Sequence, residues 1–110
     1  MRLPVILTFL QKNYSKNLSS QEIGKELGIY PGTINRLLRS ATGHNISSLI
    51  CNLRIRQATV LLQSSTKNIT EICDIIGFSA PNHFTVAFKK QMGMTPIAYR
   101  KAWLEGNENP

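Results

Sequence analysis

Asn35 and Arg36 stand side by side in PGTINRLLRSAT, and Asn82, His83 and Thr85 stand close together in PNHFTVAFKKQM. All five side chains have the chemistry of a base reader. Asn forms two hydrogen bonds with adenine and Arg two with guanine, His bonds through either ring nitrogen, and the Thr methyl packs on that of thymine. Val86 offers a second methyl of the same kind. Thr33, Lys89 and Lys90 lie nearby and suit phosphate oxygens, which position a protein on a duplex without reporting its sequence. The competing reading of both stretches is an ordinary solvated helix face, and a lone helical histidine such as His83 is more often a surface or packing residue.

Helices must hold these residues. With a period of 3.6, Ile34, Leu37 and Leu38 fall inward and leave Gly32, Thr33, Asn35, Arg36 and Arg39 on the other side. Phe84 and Phe88 do the same for Asn82, His83, Thr85, Val86, Lys89 and Lys90. Each stretch is preceded by a short helical pattern and a glycine, Gly28 or Gly77, placed where a turn between two helices needs positive φ. Small Cys73 falls at the close crossing of the second pair.

The two arrangements are copies. Glu22, Ile23, Leu27, Gly28 and Ile29 recur as Glu71, Ile72, Ile76, Gly77 and Phe78 at a constant offset of 49 (71 − 22). Past the turn the offset is 50, pairing Ile34 with Phe84, Leu38 with Phe88, Gly43 with Gly93 and Leu49 with Tyr99 (99 − 49). One extra residue in the second turn explains the change. Two copies are too few for a solenoid, which leaves a six- or seven-helix bundle whose halves share a packing pattern, or two DNA-reading units.

Composition narrows the function classes. A chain of 110 residues with 42% hydrophobic content suits one domain, or two very small ones, and leaves no room for a large ligand-binding domain. Thirteen Lys and Arg against six Asp and Glu give a net charge of +7, which favours polyanions. Cys51 and Cys73 lack CxxC spacing and read as buried reduced thiols of a cytoplasmic protein. His44 and His83 are far apart and form no metal-ligand pattern, so neither metal nor cofactor is expected. The opening MRLPVILTFL is too short and too amphipathic for a signal peptide, and no apolar run approaches the roughly 20 residues of a membrane span. Paired carboxylates, a nucleophile-base pair and a phosphate-binding glycine loop are all missing, so an enzyme is not expected.

In chain order, Pro4 to about Asn13 reads as a first helix with proline at its first position and Ile6, Phe9 and Leu10 on its apolar face. Ser19-x-x-Glu22 is a capping box, and Asn68-x-x-Glu71 is a looser version, so both glutamates read as caps and not as catalytic groups. Pro31 starts the next helix. Asn45 or Ser47 caps a long one to about Ser64, with Ile46, Leu49, Ile50, Leu53, Gln57, Ala58, Leu61 and Leu62 at helical spacing; it spans roughly 27 Å. Arg54 and Arg56 lie within it, and Arg54 receives no DNA role. Pro81 to about Met92 forms the second reading helix. Thr95-Pro96 opens the last, where Tyr99 and Trp103, one turn apart, read as core. EGNENP reads as a disordered polar tail. The expected division is a first helix-turn-helix over 1–45, a linker helix over 46–64, a second helix-turn-helix over 65–104 and the tail over 105–110.

IGFSAPNHFTVAFKKQMGMTPIAYR resembles the signature of the AraC/XylS family of bacterial transcription regulators, and LRIRQATVLL resembles the arginine-leucine segment of that family's linker helix. FLQKNYSKNLSSQEIGKELGI followed by INRLLRSATG looks like the family's first helix-turn-helix, so the likeness covers nearly all of residues 4–103. It implies an all-α fold of about seven helices, with two helix-turn-helix subdomains joined by a long helix and two recognition helices in successive major-groove segments on one face of DNA. Carried over by position, the first unit's base readers are Gly32, Asn35 and Arg36, with Arg39 towards phosphate, and the second unit's are Asn82, His83, Thr85 and Val86. Three positions depart from the pattern. Tyr30 stands where a serine cap is common, Gly32 has no side chain, and Val86 replaces a longer polar residue. Most members join this domain to a sensing or dimerisation domain, while some consist of it alone.

The reading that follows is sequence-specific binding of double-stranded DNA by a bacterial transcription regulator, an activator by family analogy, with RNA polymerase as a further partner. The alternative is a helical protein-interaction or anti-regulator module of weak DNA affinity, motivated by Gly32, Val86 and a second reading helix that lacks arginine.

Overall fold

A computed structural model describes residues 2–106. These form seven helices and no strand: α1 (Arg2–Asn13), α2 (Ser20–Leu27), α3 (Pro31–Thr42), α4 (Ile46–Ser64), α5 (Ile69–Ile76), α6 (Pro81–Met92) and α7 (Pro96–Gly106). The fold is all-α, two helix-turn-helix subdomains joined by the long helix α4. The chain divides into two compact units, and the division falls inside α4, between Leu53 and Arg54.

In the first unit α2 and α3 make the helix-turn-helix, and α1 packs on α3. Ile6, Leu10, Ile23, Ile34, Leu38, Ile46 and Ile50 form its core. The capping box at α2 is complete: the Ser19 hydroxyl accepts from the Glu22 amide at 3.2 Å, and Glu22 Oε1 accepts from the Ser19 amide at 3.1 Å. Gly28 ends α2 with φ 68°, a left-handed conformation that a side chain would strain. Gly24 answers a different constraint. A Cβ there would lie 2.4 Å from the carbonyl oxygen of Ile29, so the turn can close onto α2 only where no side chain intervenes.

The second unit repeats the plan. Asn68 and Glu71 form a complete capping box, at 2.8 and 2.9 Å, and not a looser one. Cys73 takes the place of Gly24. Here the crossing has room for a side chain, and the thiol donates to the Phe78 carbonyl at 3.4 Å. Burial and the neighbouring Asp74 carboxylate push the Cys73 thiol above its usual range. The rings of Phe78, Phe84, Phe88 and Tyr99 form a chain with centroids 5.5 to 5.7 Å apart. Arg54 lies 5.6 Å from the centroid of Phe78, so this linker-helix arginine packs on a ring of its own unit.

Several expectations change. α1 begins at Arg2, so Pro4 sits inside the first turn, where its missing N–H still costs nothing. Asn45 caps α4, its Oδ1 accepting from the Ser48 amide at 2.9 Å; Ser47 lies inside the helix. Ile55 is buried although it was outside the expected stripe, and Phe78 and Cys51 are only half-buried. Tyr99 is half-buried with its ring against core Phe88, and Trp103 is 37% exposed and is not a core residue. α7 continues through Glu105 and Gly106, and the remainder of the expected tail lies outside the described residues.

Candidate nucleic-acid interface

α3 starts at Pro31, whose fixed φ and missing N–H suit a first helical position, and ends at Gly43 with φ 76°. α6 follows the same rule from Pro81 to Gly93. Ile34 and Leu38 in one, and Phe84 and Phe88 in the other, are fully buried. Those anchors fix the rotation of each helix about its axis and leave one face outward.

On α3 the outward row is Gly32, Asn35, Arg36 and Arg39, all exposed, at the i, i+3, i+4, i+7 spacing of a single helix face. Thr33 is half-buried at its edge. Asn35 also borders a shallow hollow with Ser19, Ser20, Asn45 and Ser47, which puts its carboxamide beside the first turns of α2 and α4. On α6 the corresponding row is Asn82, Thr85, Val86 and Lys89, with His83 and Lys90 alongside; all are exposed except Thr85, which is half-buried. The Thr85 hydroxyl donates to the Pro81 carbonyl at 2.9 Å, so its methyl is the part free for contact. The five expected base readers therefore fall into two groups, one on each second helix of a helix-turn-helix, and the four expected phosphate residues flank them.

Arg39, Lys89 and Lys90 occupy the last turns of their helices, where a cation also offsets the negative end of the helix dipole. That local role and a phosphate contact are compatible, because the charge remains exposed. Among the described residues no group of His, Cys, Asp and Glu could hold a metal ion. No described helix is long and apolar enough to cross a membrane.

Two features at the start of α3 were less legible in the sequence. Tyr30 precedes the helix without any side-chain capping bond and is 78% exposed. Its ring lies alongside Gly32, where an added Cβ would meet Cε2 at 3.4 Å and Cδ2 at 3.5 Å. Gly32 is not among the glycines of positive φ, so the backbone itself does not call for glycine there.

Comparison with known proteins places this arrangement. The family model described as a helix-turn-helix domain matches residues 23–102. The HTH-type transcriptional activator RhaS of Yersinia pestis is 32% identical over 95 residues, which cover 86% of this chain and 35% of that protein. The chain thus spans about a third of the length of this relative. A transcriptional regulator of Chromobacterium violaceum, with an AraC-type DNA-binding domain, superposes with a TM-score of 0.85 at 27% identity, over 91% of this chain and 89% of that one. The DNA-binding domain of AdpA, a global transcriptional factor solved in complex with a target DNA, shares the fold with a TM-score of 0.87 at 23% identity, over 98% of this chain and 97% of that one.

Proposed function

The chain belongs to the AraC/XylS-type family of helix-turn-helix domains, and on that premise we propose that it binds double-stranded DNA sequence-specifically as the DNA-binding domain of a bacterial transcription regulator. The observation that carries this reading is the pairing of exposed Asn35 and Arg36 on α3 with exposed Asn82, His83 and Val86 on α6, each row held outward by fully buried anchors. Side chains with bidentate and methyl chemistry on a second helix are what direct readout in the major groove requires.

In this reading Asn35, Arg36, Asn82, His83 and Thr85 contact bases, and Thr33, Arg39, Lys89 and Lys90 contact phosphates. Residues 1–45 and 65–104 act as the two reading units, with 46–64 linking them. The net charge of +7 adds a sequence-independent attraction that falls as salt rises. The protein works in the cytoplasm as an activator with RNA polymerase as a further partner. Activation is drawn from the RhaS relative, whose name describes an activator. No catalytic step is assigned to it.

Selection of duplexes from a randomised library by the purified chain, followed by sequencing, tests the proposal. Two short dissimilar motifs about one helical turn, roughly 34 Å, apart are expected. Retention of random sequence without enrichment would reduce the chain to a non-specific polyanion binder.

A further inference from the structure

We propose that Tyr30 is a base-reading residue of the first unit, its ring packing against a thymine methyl group at the start of α3. The inference rests on the reading above, in which α3 enters the major groove. Tyr30 is the last residue before the helix, in extended backbone with φ −61° and ψ 133°. Serine, threonine, aspartate and asparagine are favoured at such a position because their oxygens cap the first turn. Tyrosine makes no such bond here, so capping does not explain it.

The placement of the ring does. At 78% exposure Tyr30 is the most exposed large hydrophobic side chain among the described residues, yet the ring leans over the first turn of α3 beside Gly32. Gly32 begins the outward row that continues through Asn35, Arg36 and Arg39, and it has nothing of its own to offer a base. The tyrosine ring occupies the space beside it and becomes the leading member of the row. The second unit divides the same two positions the other way. Ala80 precedes α6 and Asn82 stands at the equivalent of Gly32, so bulk lies two residues later. Tyr30 with Gly32, and Ala80 with Asn82, are two ways of filling one place on a reading helix.

The chemistry of the groove selects the target. Base edges there present hydrogen-bond donors and acceptors, which lose water against an aromatic face without compensation, and one apolar group, the thymine C5 methyl. A ring supported on one side by the helix and bare on the other fits the methyl.

The test uses the duplex enriched by the unaltered chain from a randomised library, with each thymine replaced singly by uracil, which removes only the methyl. One replacement, next to the bases whose preference Asn35→Ala relaxes, is expected to weaken binding about fourfold, the effect of burying one methyl-sized group. Tyr30→Ser should abolish that thymine-uracil difference and Tyr30→Phe should keep it, with circular dichroism unchanged in both, melting unchanged in Tyr30→Phe, and melting no lower in Tyr30→Ser, whose hydroxyl suits the capping position. A difference that survives in Tyr30→Ser, indifference of the unaltered chain to every replacement in that half of the site, or Tyr30→Phe behaving like Tyr30→Ser would each overturn the assignment and leave the proposed function standing. Failure of the unaltered chain to enrich any duplex would overturn both.

Discussion

Arg100 Nη1 donates to the carbonyl of Lys67 at 2.6 Å, while Nε reaches Leu62 O at 3.1 Å and Nη2 reaches Ser65 O at 3.1 Å and Leu61 O at 3.4 Å. One guanidinium on α7 therefore ties the final turn of α4 to the loop that follows it. α4 has no basic residue in its own last turn, so Arg100 supplies from elsewhere in the chain the cation that the negative end of the helix favours. Only a planar fork with several donors can reach carbonyls spread over seven residues.

Arg100→Ala should accordingly destabilise the second unit by about 2 to 3 kcal/mol, the effect of losing charge-assisted hydrogen bonds to partly buried carbonyls. Arg100→Lys keeps the charge without the fork and should recover less than half of the loss. Urea unfolding followed by the fluorescence of Trp103, the one tryptophan, reads this unit. A change below about 0.5 kcal/mol for Arg100→Ala would make the contacts incidental, as at ordinary surface positions.

The two glycines of the first helix-turn-helix should respond in opposite ways. Gly24→Ala forces a Cβ to within 2.4 Å of the Ile29 carbonyl, and the backbone on both sides must move. A loss of about 1 to 3 kcal/mol is expected, as for overpacking elsewhere. Gly32→Ala meets only the Tyr30 ring at ordinary contact distance and gains helix propensity, so it should be neutral or stabilising by up to about 1 kcal/mol. Thermal melts of the pair decide the matter, and equal shifts would contradict the close crossing at Gly24.

Much of this fold could be read from spacing, because its determinants are local. The capping residues Ser19 and Asn68, the left-handed Gly28 and Gly77, and the prolines that open α3 and α6 act within one turn of where they stand in the chain. The outward rows followed from period alone, since Ile34, Leu38, Phe84 and Phe88 fix them. Ile55 was not legible because α4 serves two cores in succession: Ile46 and Ile50 belong to the first unit, Ile55, Ala58 and Leu62 to the second, and the step from 50 to 55 breaks the helical rhythm. Arg100 escaped notice because its partners are backbone carbonyls, which leave no mark in a sequence. Trp103 misled because i, i+4 spacing from Tyr99 puts two residues on one face without saying how far that face is covered.

Stability should fall at alkaline pH through Cys73. Its thiol is held above the usual value of 9.0 by burial and by Asp74, so the neutral form is favoured in the folded chain and the unfolded chain ionises first. The contribution is complete below that value and is lost as pH rises through the higher folded value. Tyr14 is raised by burial in the same direction from 10.0, in the first unit. Urea midpoints of the second unit measured from neutral pH to about pH 10 should decline, and Cys73→Ala should flatten the decline, since the linked group is gone. A decline of equal steepness in Cys73→Ala would assign it to other groups.

Base readers and phosphate contacts should separate under mutation and salt. Asn35→Ala and Arg36→Ala remove bidentate partners, so each should weaken the selected duplex by roughly 1 to 3 kcal/mol and relax the preference at one base pair. Binding to random duplex should change far less, because its affinity is mainly electrostatic. Lys89→Ala should weaken selected and random duplexes alike and lower the slope of log affinity against log salt by about 1. Titrations of both duplexes across a salt series distinguish the cases. Loss of equal size on random DNA would remove Asn35 or Arg36 from the base-reading set, and an unchanged salt slope would do the same for Lys89 among the phosphate contacts. Because Lys89 also stands at the negative end of α6, its substitution should be checked by melting: a fall in stability without a change in slope would leave the helix dipole as its whole role.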